Sequence, residues 1–306
     1  MGNGRIIRVG IAISLLASSL TGNAWSGRES DDKQGTITVG GVARRYLLHV
    51  PGSLPHGQPA PLVLVFHGGG GHARNMPNFT HFDSLADEQG FIVAYPDSFN
   101  RSWNDTRGLS PADDVGFVRA LIAELQRSTG IDPKRVYATG ISAGGFFSQR
   151  LACDLADKIA AVASVAATMP ESLVPVCKPS QPISVMFMNG TKDPLVHIEG
   201  GPVLRDRGVA IALAAAAKFW RDLDQTTPQA MTEDLPDHAN DGTTVHREEF
   251  DGGKQGTQVV VYTIVGGGHT WPGGSQYLPG FLIGKVSHNL DATREIWKFF
   301  QKHSLQ

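Results

Sequence analysis

The sequence has few cysteines, no concentration of basic residues and no apolar run that is long enough to span a membrane. Its 306 residues carry 27 Lys and Arg against 29 Asp and Glu, which gives a formal net charge of -2. Because no segment gathers enough Lys and Arg to follow a phosphate backbone, nucleic acid is not an expected partner. The apolar stretch at residues 9–20 is too short to cross a bilayer, so a membrane is not an expected partner either.

The N-terminal residues follow the order of an export signal. Arg5 and Arg8 precede the apolar stretch, and the small residues of GNAWS follow it. We therefore expect residues 1–24 to be a signal peptide and residues 25–306 to form one domain of a secreted or periplasmic protein. A buried N-terminal helix is the alternative interpretation of the same residues.

The cysteine content is limited to Cys153 and Cys177. An even pair suits an oxidising compartment, and a disulfide between them would stabilise the fold by about 3 kcal/mol through loop closure. Two buried free thiols are the alternative, because a sequence does not report the distance between two Cα atoms.

Short apolar runs alternate with amphipathic segments along the rest of the chain. The runs PLVLVF, GFIVAYP, RVYAT and PISVMFMNG are typical of strands that are covered on both faces. Hairpins are predicted around Gly40 and Gly41 and within residues 243–265. Helices are predicted within residues 79–90, 112–130, 144–162, 208–223 and 289–303, and a surface loop within residues 225–242. This alternation predicts an α/β fold with a mostly parallel, doubly wound sheet in a single domain without a large lid.

Gly140, Ser142 and Gly144 fit the pattern G-x-S-x-G of a nucleophile elbow. In this element a sharp turn between a strand and a helix raises the serine oxygen above the sheet, and the small glycines avoid collisions in the turn. The strand-like RVYAT before the pattern and the helical segment after it provide the required context. Ser142 is therefore the candidate nucleophile.

A serine nucleophile needs a base to take its proton and a carboxylate to orient that base. Asp193 follows the strand-like PISVMFMNG, and His269 follows VVVYTIV, so both are expected where parallel strands end. Their order, acid before histidine, is the order of this architecture. Asp206 and Glu199 are alternative acids farther from the strand, and His197 is an alternative base in the loop behind the acid.

The glycine run in VFHGGGGHA is the candidate source of an oxyanion hole. Negative charge that develops on an ester oxygen needs donors that are in place before the reaction. We expect one donor to be the N–H of Ala143, directly after the nucleophile, and the other to be the N–H of Gly69, with Gly70 as the alternative. A phosphate-binding loop is the competing interpretation, but no Lys-Ser or Lys-Thr follows the glycines.

Two tryptophans fall in predicted loops near these motifs. Trp103 lies in SWND, and Trp271 lies two residues after His269. Their large aromatic surfaces could line a site for an apolar or aromatic acyl group, with packing inside a loop as the alternative. We therefore regard Trp103 and Trp271 as candidate substrate-binding residues.

An ordered set of motifs links the chain to a known family. The set is FHGGGG, SWNDTRGLSPADDVGFVRALI, VYATGISAGG, MNGTKDPLV, GGGHTWPGG and LDATREIWKFF, and the likeness around it runs from about Gly35 to the C-terminus. It resembles the poly(3-hydroxybutyrate) depolymerase-like esterases, which are related to the feruloyl and acetylxylan esterases of carbohydrate esterase family 1. The resemblance implies an α/β-hydrolase fold without a metal, in which Ser142 is the nucleophile, Asp193 the acid and His269 the base. The family often carries cysteines around the helix after the elbow, which fits a bridge between Cys153 and Cys177.

These observations predict a secreted serine carboxylesterase that works through an acyl-enzyme and needs no cofactor. The expected partner is an ester substrate: a hydroxyalkanoate oligomer, a feruloyl or acetyl ester of a plant polysaccharide, or a simple short-chain ester. A serine peptidase and a non-catalytic carbohydrate-binding protein on a hydrolase scaffold are the alternatives. A single sequence shows no interface, so it leaves the oligomeric state open.

Overall fold

The structure of the chain, a computed structural model, describes residues 33–55, 57–204 and 206–306. The predicted signal peptide lies outside the described residues and stays a prediction. In the described ranges, no helix combines the length and the apolar character that a membrane crossing requires.

The described residues form thirteen strands. They are β1 (Lys33–Val39), β2 (Val42–His49), β3 (Ala60–Phe66), β4 (Ile92–Pro96), β5 (Ile131–Ile141), β6 (Ala161–Val165), β7 (Met169–Pro170), β8 (Ser184–Gly190), β9 (Gly201–Pro202), β10 (Val209–Ile211), β11 (Met231–Leu235), β12 (Thr244–Phe250) and β13 (Val259–Val265). The helices are α1 (Met76–Thr80), α2 (Phe82–Gln89), α3 (Asp114–Ser128), α4 (Ala143–Asp154), α5 (Leu213–Asp224), α6 (Gly280–Ile283) and α7 (Ala292–Phe300). Short 3₁₀ turns cover Ala73–Asn75, Phe99–Arg101, Glu171–Leu173 and Lys254–Gly256.

Ten of these strands form one sheet in the order β1-β2-β4-β3-β5-β6-β8-β13-β12-β11. The consecutive strands from β4 to β13 in this order pair in parallel, and the strands at both ends pair antiparallel. The strands β7, β10 and β9 form a small separate sheet. The mostly parallel sheet with helices between its strands confirms the predicted α/β-hydrolase fold.

The first hairpin has the geometry that its two glycines predict. Val39 of β1 pairs with Val42 of β2 across a two-residue turn. Gly40 and Gly41 have φ values of 56° and 80°, which a tight turn with left-handed residues requires and which glycine adopts at little cost.

Alternating side chains of the central strands pack into cores on both faces of the sheet. Leu62 and Leu64 of β3 belong to one core, which α3, α4 and α5 cover. Val63 and Val65 of the same strand belong to the other core, which α2 and α7 cover. Because the sheet is buried on both faces, its central strands are continuous apolar runs in the sequence.

The structure corrects four of the predicted elements. The helix predicted within residues 144–162 ends at Asp154, and its last residues belong to β6, a buried central strand. The helix predicted within residues 79–90 is divided at His81, whose φ of 59° ends α1 before α2 begins. Strand β10 lies at the start of the helix that was predicted within residues 208–223, and strand β11 lies in the loop that was predicted within residues 225–242.

Cys153 and Cys177 form a disulfide with a Cα–Cα distance of 4.9 Å. The bond joins the end of α4 to the segment that precedes β8, and both residues are buried. The prediction of a bridge is therefore confirmed, and the alternative of two free thiols is wrong.

Candidate active site

Ser142 occupies the turn between β5 and α4. Its φ of 56° and ψ of -118° are values that a serine rarely adopts, so the turn is strained. A Cβ at Gly140 would lie 2.6 Å from the Phe66 carbonyl oxygen, and one at Gly144 would lie 2.2 Å from the same atom. The two glycines therefore permit β3 to approach the turn closely, as an elbow requires.

His269 and Asp193 form a buried, hydrogen-bonded pair. His269 Nδ1 lies 2.7 Å from Asp193 Oδ2, and the residues are 2% and 3% exposed. The N–H groups of Leu195 and Val196 donate to Asp193 Oδ1 over 2.8 and 2.9 Å. The carboxylate is thus fixed by the loop after β8, while the imidazole comes from the loop after β13.

Ser142 and His269 both line a cavity of about 700 Å³. Its apolar wall includes Met76, Phe79, Leu195, Val203, Leu278 and Leu282. Its polar wall includes His72, Asn75, Asn78, Arg207 and Ser275. A concave, largely apolar site with a few polar groups suits a small organic substrate or the end of a larger one.

The alternative acid and base residues lie elsewhere. Asp206, Glu199 and His197 are exposed, and none of them lines the cavity. Among these candidates the structure brings only Asp193 and His269 into contact with each other.

The glycine run after β3 passes beside the start of α4. A Cβ at Gly69 would lie 3.7 Å from the Cβ of Ala143, and one at Gly68 would lie 3.5 Å from the Cβ of Ser142. The Gly70 N–H donates to the Arg101 carbonyl oxygen over 2.9 Å, so it is already engaged. The Gly69 N–H has no acceptor among the described residues, and Ala143 is the first residue of α4, so its N–H has no partner within that helix.

His67 holds the peptide group between Gly68 and Gly69. Its ring is buried, and burial lowers the pKa of the imidazole, which keeps it neutral. The Ser98 N–H donates to Nε2 over 3.2 Å, so the proton is on Nδ1, which donates to the Gly68 carbonyl oxygen over 2.8 Å. Because the C=O and N–H of a trans peptide point in opposite directions, this bond directs the Gly69 N–H away from His67.

The two tryptophans are core residues and not parts of the cavity wall. Trp103 is 0% exposed, stacks on Phe147 with centroids 4.8 Å apart and donates from Nε1 to the His67 carbonyl oxygen. Trp271 is 1% exposed and donates from Nε1 to Thr293 Oγ1 over 3.0 Å. The expectation that these rings line the site is therefore corrected: both support the loops that carry site residues, because their surface is used in packing.

Three site residues had no functional assignment from the sequence: His67, Tyr277 and Arg207. The Tyr277 hydroxyl donates to the His269 carbonyl oxygen over 3.0 Å, and burial together with the charge of Asp193 raises the pKa of Tyr277 to about 12. Arg207 reaches the cavity from the loop between β9 and β10. The only sequence signal for any of them was the position of His67 directly before the glycine run.

Known proteins resemble this chain in sequence. A family profile described as alpha/beta hydrolase fold matches residues 61–182. The chain is 35% identical over 273 residues to the protein named "Putative esterase NocK" of Nocardia uniformis subsp. tsuyamanensis, over 83% of this chain and 78% of that protein. It is 31% identical over 235 residues to Feruloyl esterase B of Piromyces equi, over 74% of this chain and 42% of that protein. The chain thus spans less than half the length of the Piromyces protein.

The fold also has a match among solved structures. The acetyl xylan esterase from Aspergillus awamori superposes with a TM-score of 0.56 at 14% sequence identity, over 78% of this chain and 94% of that chain. At this level of identity the likeness concerns the fold alone.

Proposed function

The chain belongs to the α/β-hydrolase-fold family of esterases, and from this premise we propose that it is a serine carboxylesterase with Ser142, His269 and Asp193 as its catalytic triad. One observation carries the proposal: His269, which forms a buried hydrogen bond with Asp193, lines the same cavity as Ser142. A nucleophile, a base and an orienting carboxylate are the groups that acyl transfer requires.

The first half of the reaction forms an acyl-enzyme. Asp193 accepts the hydrogen bond from His269 Nδ1–H, which leaves Nε2 free to take the proton from the Ser142 hydroxyl. The serine oxygen attacks the ester carbonyl carbon, and a tetrahedral intermediate forms. When the C–O bond to the alcohol breaks, the imidazolium returns its proton to the leaving alcohol.

The second half releases the acid. A water molecule gives a proton to His269 Nε2 and attacks the acyl carbon, and the bond to Ser142 breaks as the serine regains that proton. In both halves the negative charge on the carbonyl oxygen is stabilised by the N–H groups of Gly69 and Ala143. His67 acts as a positioning residue, because its bond to Gly68 orients the peptide that carries the Gly69 donor.

Two ester classes are candidate substrates. The feruloyl esterase name of the Piromyces relative supports esters of plant polysaccharides, and the apolar wall can hold an aromatic or alkyl group. Leu278 and Leu282, which are 44% and 48% exposed, extend this wall toward solvent. Hydroxyalkanoate oligomers are the second candidate, and the cation that Arg207 contributes to the polar wall favours them.

Export is part of the proposal. The predicted signal peptide and the Cys153–Cys177 disulfide support a secreted or periplasmic location, since such bonds persist in oxidising compartments.

The test is hydrolysis of p-nitrophenyl acetate and butyrate by the purified protein. We expect turnover by the wild type and a loss of at least about 10³-fold in kcat for Ser142→Ala. Ser180→Ala, which changes an exposed serine outside the cavity, is the matched control and should keep wild-type activity. Turnover by Ser142→Ala at the wild-type rate would refute the proposal.

A substrate panel separates the remaining alternatives. Methyl ferulate, acetylated xylan and hydroxybutyrate oligomers compare the ester classes, and matched p-nitroanilides test for a peptidase. A carbohydrate-binding protein without catalysis would hydrolyse none of these compounds. Hydrolysis of the esters without detectable hydrolysis of the matched p-nitroanilides supports an esterase, because a serine peptidase cleaves both.

A further inference from the structure

Arg207 gives the cavity a charge that the triad chemistry does not use. It is the only Lys, Arg, Asp or Glu among the described residues that line the cavity. Its side chain is exposed and forms no ion pair with a described carboxylate. The described residues that line the cavity therefore present a cation without a counter-charge.

The guanidinium lies beside the oxyanion loop. A Cβ at Gly69 would lie 2.6 Å from Arg207 Nη1, on the side where Gly69 also approaches Ala143. The same Cβ position lies 3.7 Å from the Cβ of Ala143, the residue after Ser142, and Ser142 and Arg207 line one cavity, so a substrate bound at Ser142 can also reach Arg207. The guanidinium of Arg207 is therefore placed to bind a negatively charged group of the substrate itself.

A buried ion pair anchors the loop that carries Arg207. Arg107 donates from Nε and Nη2 to the two oxygens of Asp105, and its guanidinium lies 4.0 Å from the centroid of the Phe146 ring. Arg107 Nη1 also donates to the Arg207 carbonyl oxygen over 3.1 Å. The position of Arg207 is thus supported by the core, although its side chain reaches solvent.

We propose that Arg207 is a specificity-determining residue that selects esters carrying a carboxylate close to the scissile bond. Guanidinium and carboxylate groups match in charge and in planar geometry, so a hydrogen-bonded pair would form on binding. Half-esters of dicarboxylic acids and hydroxy-acid oligomers with a free acid end belong to this class. The inference rests on the proposed esterase function and adds the substrate class to it.

The experiment compares each anionic ester with its neutral methyl ester. Monomethyl and dimethyl glutarate place the carboxylate on the acyl side, and 3-acetoxybutyrate and its methyl ester place it on the alcohol side. Wild type, Arg207→Gln and Arg207→Lys are assayed on both pairs. Arg45→Gln is the matched control, because it removes one exposed positive charge from β2, outside the cavity.

In at least one pair we expect Arg207→Gln to lower kcat/KM for the anionic ester about five- to tenfold through KM, with kcat almost unchanged. The neutral ester should change less than about twofold, and Arg207→Lys should retain part of the preference. Added salt should weaken the preference of the wild type for the anion and have little effect in Arg207→Gln.

Two results would overturn the inference. An equal loss for the anionic and neutral esters would mean that Arg207 acts on the oxyanion and not on a substrate carboxylate. Unchanged kinetics on both pairs would mean that it does not contact the substrate. Neither result affects the proposed esterase function, which fails only if the wild type hydrolyses no ester or if Ser142 is dispensable.

Discussion

The role of Asp193 predicts a specific defect in Asp193→Asn. In the wild type, Oδ1 accepts two backbone N–H groups, and Oδ2 accepts from His269 Nδ1. An asparagine has a single side-chain oxygen, and the two N–H groups of the loop hold that oxygen. Its NH₂ group then faces His269 and donates to Nδ1, which moves the imidazole proton to Nε2. In this tautomer His269 cannot take a proton from Ser142.

The structure sets the size of the effect. To restore the active tautomer, the amide must rotate and leave the two backbone donors, from Leu195 and Val196, without an acceptor. Each unsatisfied buried donor costs about 1–3 kcal/mol, so the rotation costs about 2–6 kcal/mol. At about 1.4 kcal/mol for each factor of ten, we expect kcat to fall by a factor between about 30 and about 2 × 10⁴.

The assay measures kcat and KM on p-nitrophenyl acetate and compares thermal unfolding of the two proteins. Asp206→Asn is the control, since this carboxylate is exposed and outside the cavity, and its kcat should stay within about twofold of the wild type. A folded Asp193→Asn protein with more than about a tenth of the wild-type kcat would refute the reasoning.

Three further predictions concern the oxyanion loop, the disulfide and a buried acid. His67→Ala should lower kcat by about 10²-fold with a smaller change in KM, and His67→Asn, whose amide can still donate to Gly68, should retain more activity; equal kinetics for the two variants would argue against positioning. Replacing Cys153 and Cys177 by serine should lower the free energy of unfolding in urea by about 3 kcal/mol, and an unchanged value would contradict the loop-closure estimate. Burial raises the pKa of Asp224 to about 6 from its ordinary 3.8, so the folded chain binds the extra proton in this window and stability falls as the pH rises through it. Asp224→Asn has no carboxyl group to titrate, so its free energy of unfolding should rise relative to that of the wild type as the pH increases from about 4 to 6. If urea denaturation gives the same difference between the two proteins at every pH, the assignment is contradicted.

The sequence alone predicts the parts of the fold whose backbone geometry depends on a few neighbouring residues. The glycine pair at the first hairpin and the elbow pattern around Ser142 each require one backbone geometry, and the structure has it in both places. Asp193 and His269 lie directly after β8 and β13, where the apolar runs end. Their catalytic roles stay predictions until they are tested in solution.

The missed elements depend on contacts between distant segments. The residues of β6, AVASV, combine alanines that favour a helix with valines that favour a strand, and the position between β5 and β8 makes the segment a strand. Trp103 lies in a loop, but its ring fills the core next to Phe66 at a centroid distance of 5.1 Å. Arg207 is far from the motifs in sequence and reaches the cavity only because of its loop. Sequence periodicity does not report such contacts.

The central claim is that Ser142 forms the covalent intermediate. The most direct measurement is labelling of the protein with a fluorophosphonate, followed by mass spectrometry of its peptides. The account predicts one adduct on the peptide that contains Ser142 and no adduct in Ser142→Ala. An adduct on another residue, or ester hydrolysis by a protein that the reagent leaves unlabelled, would contradict it.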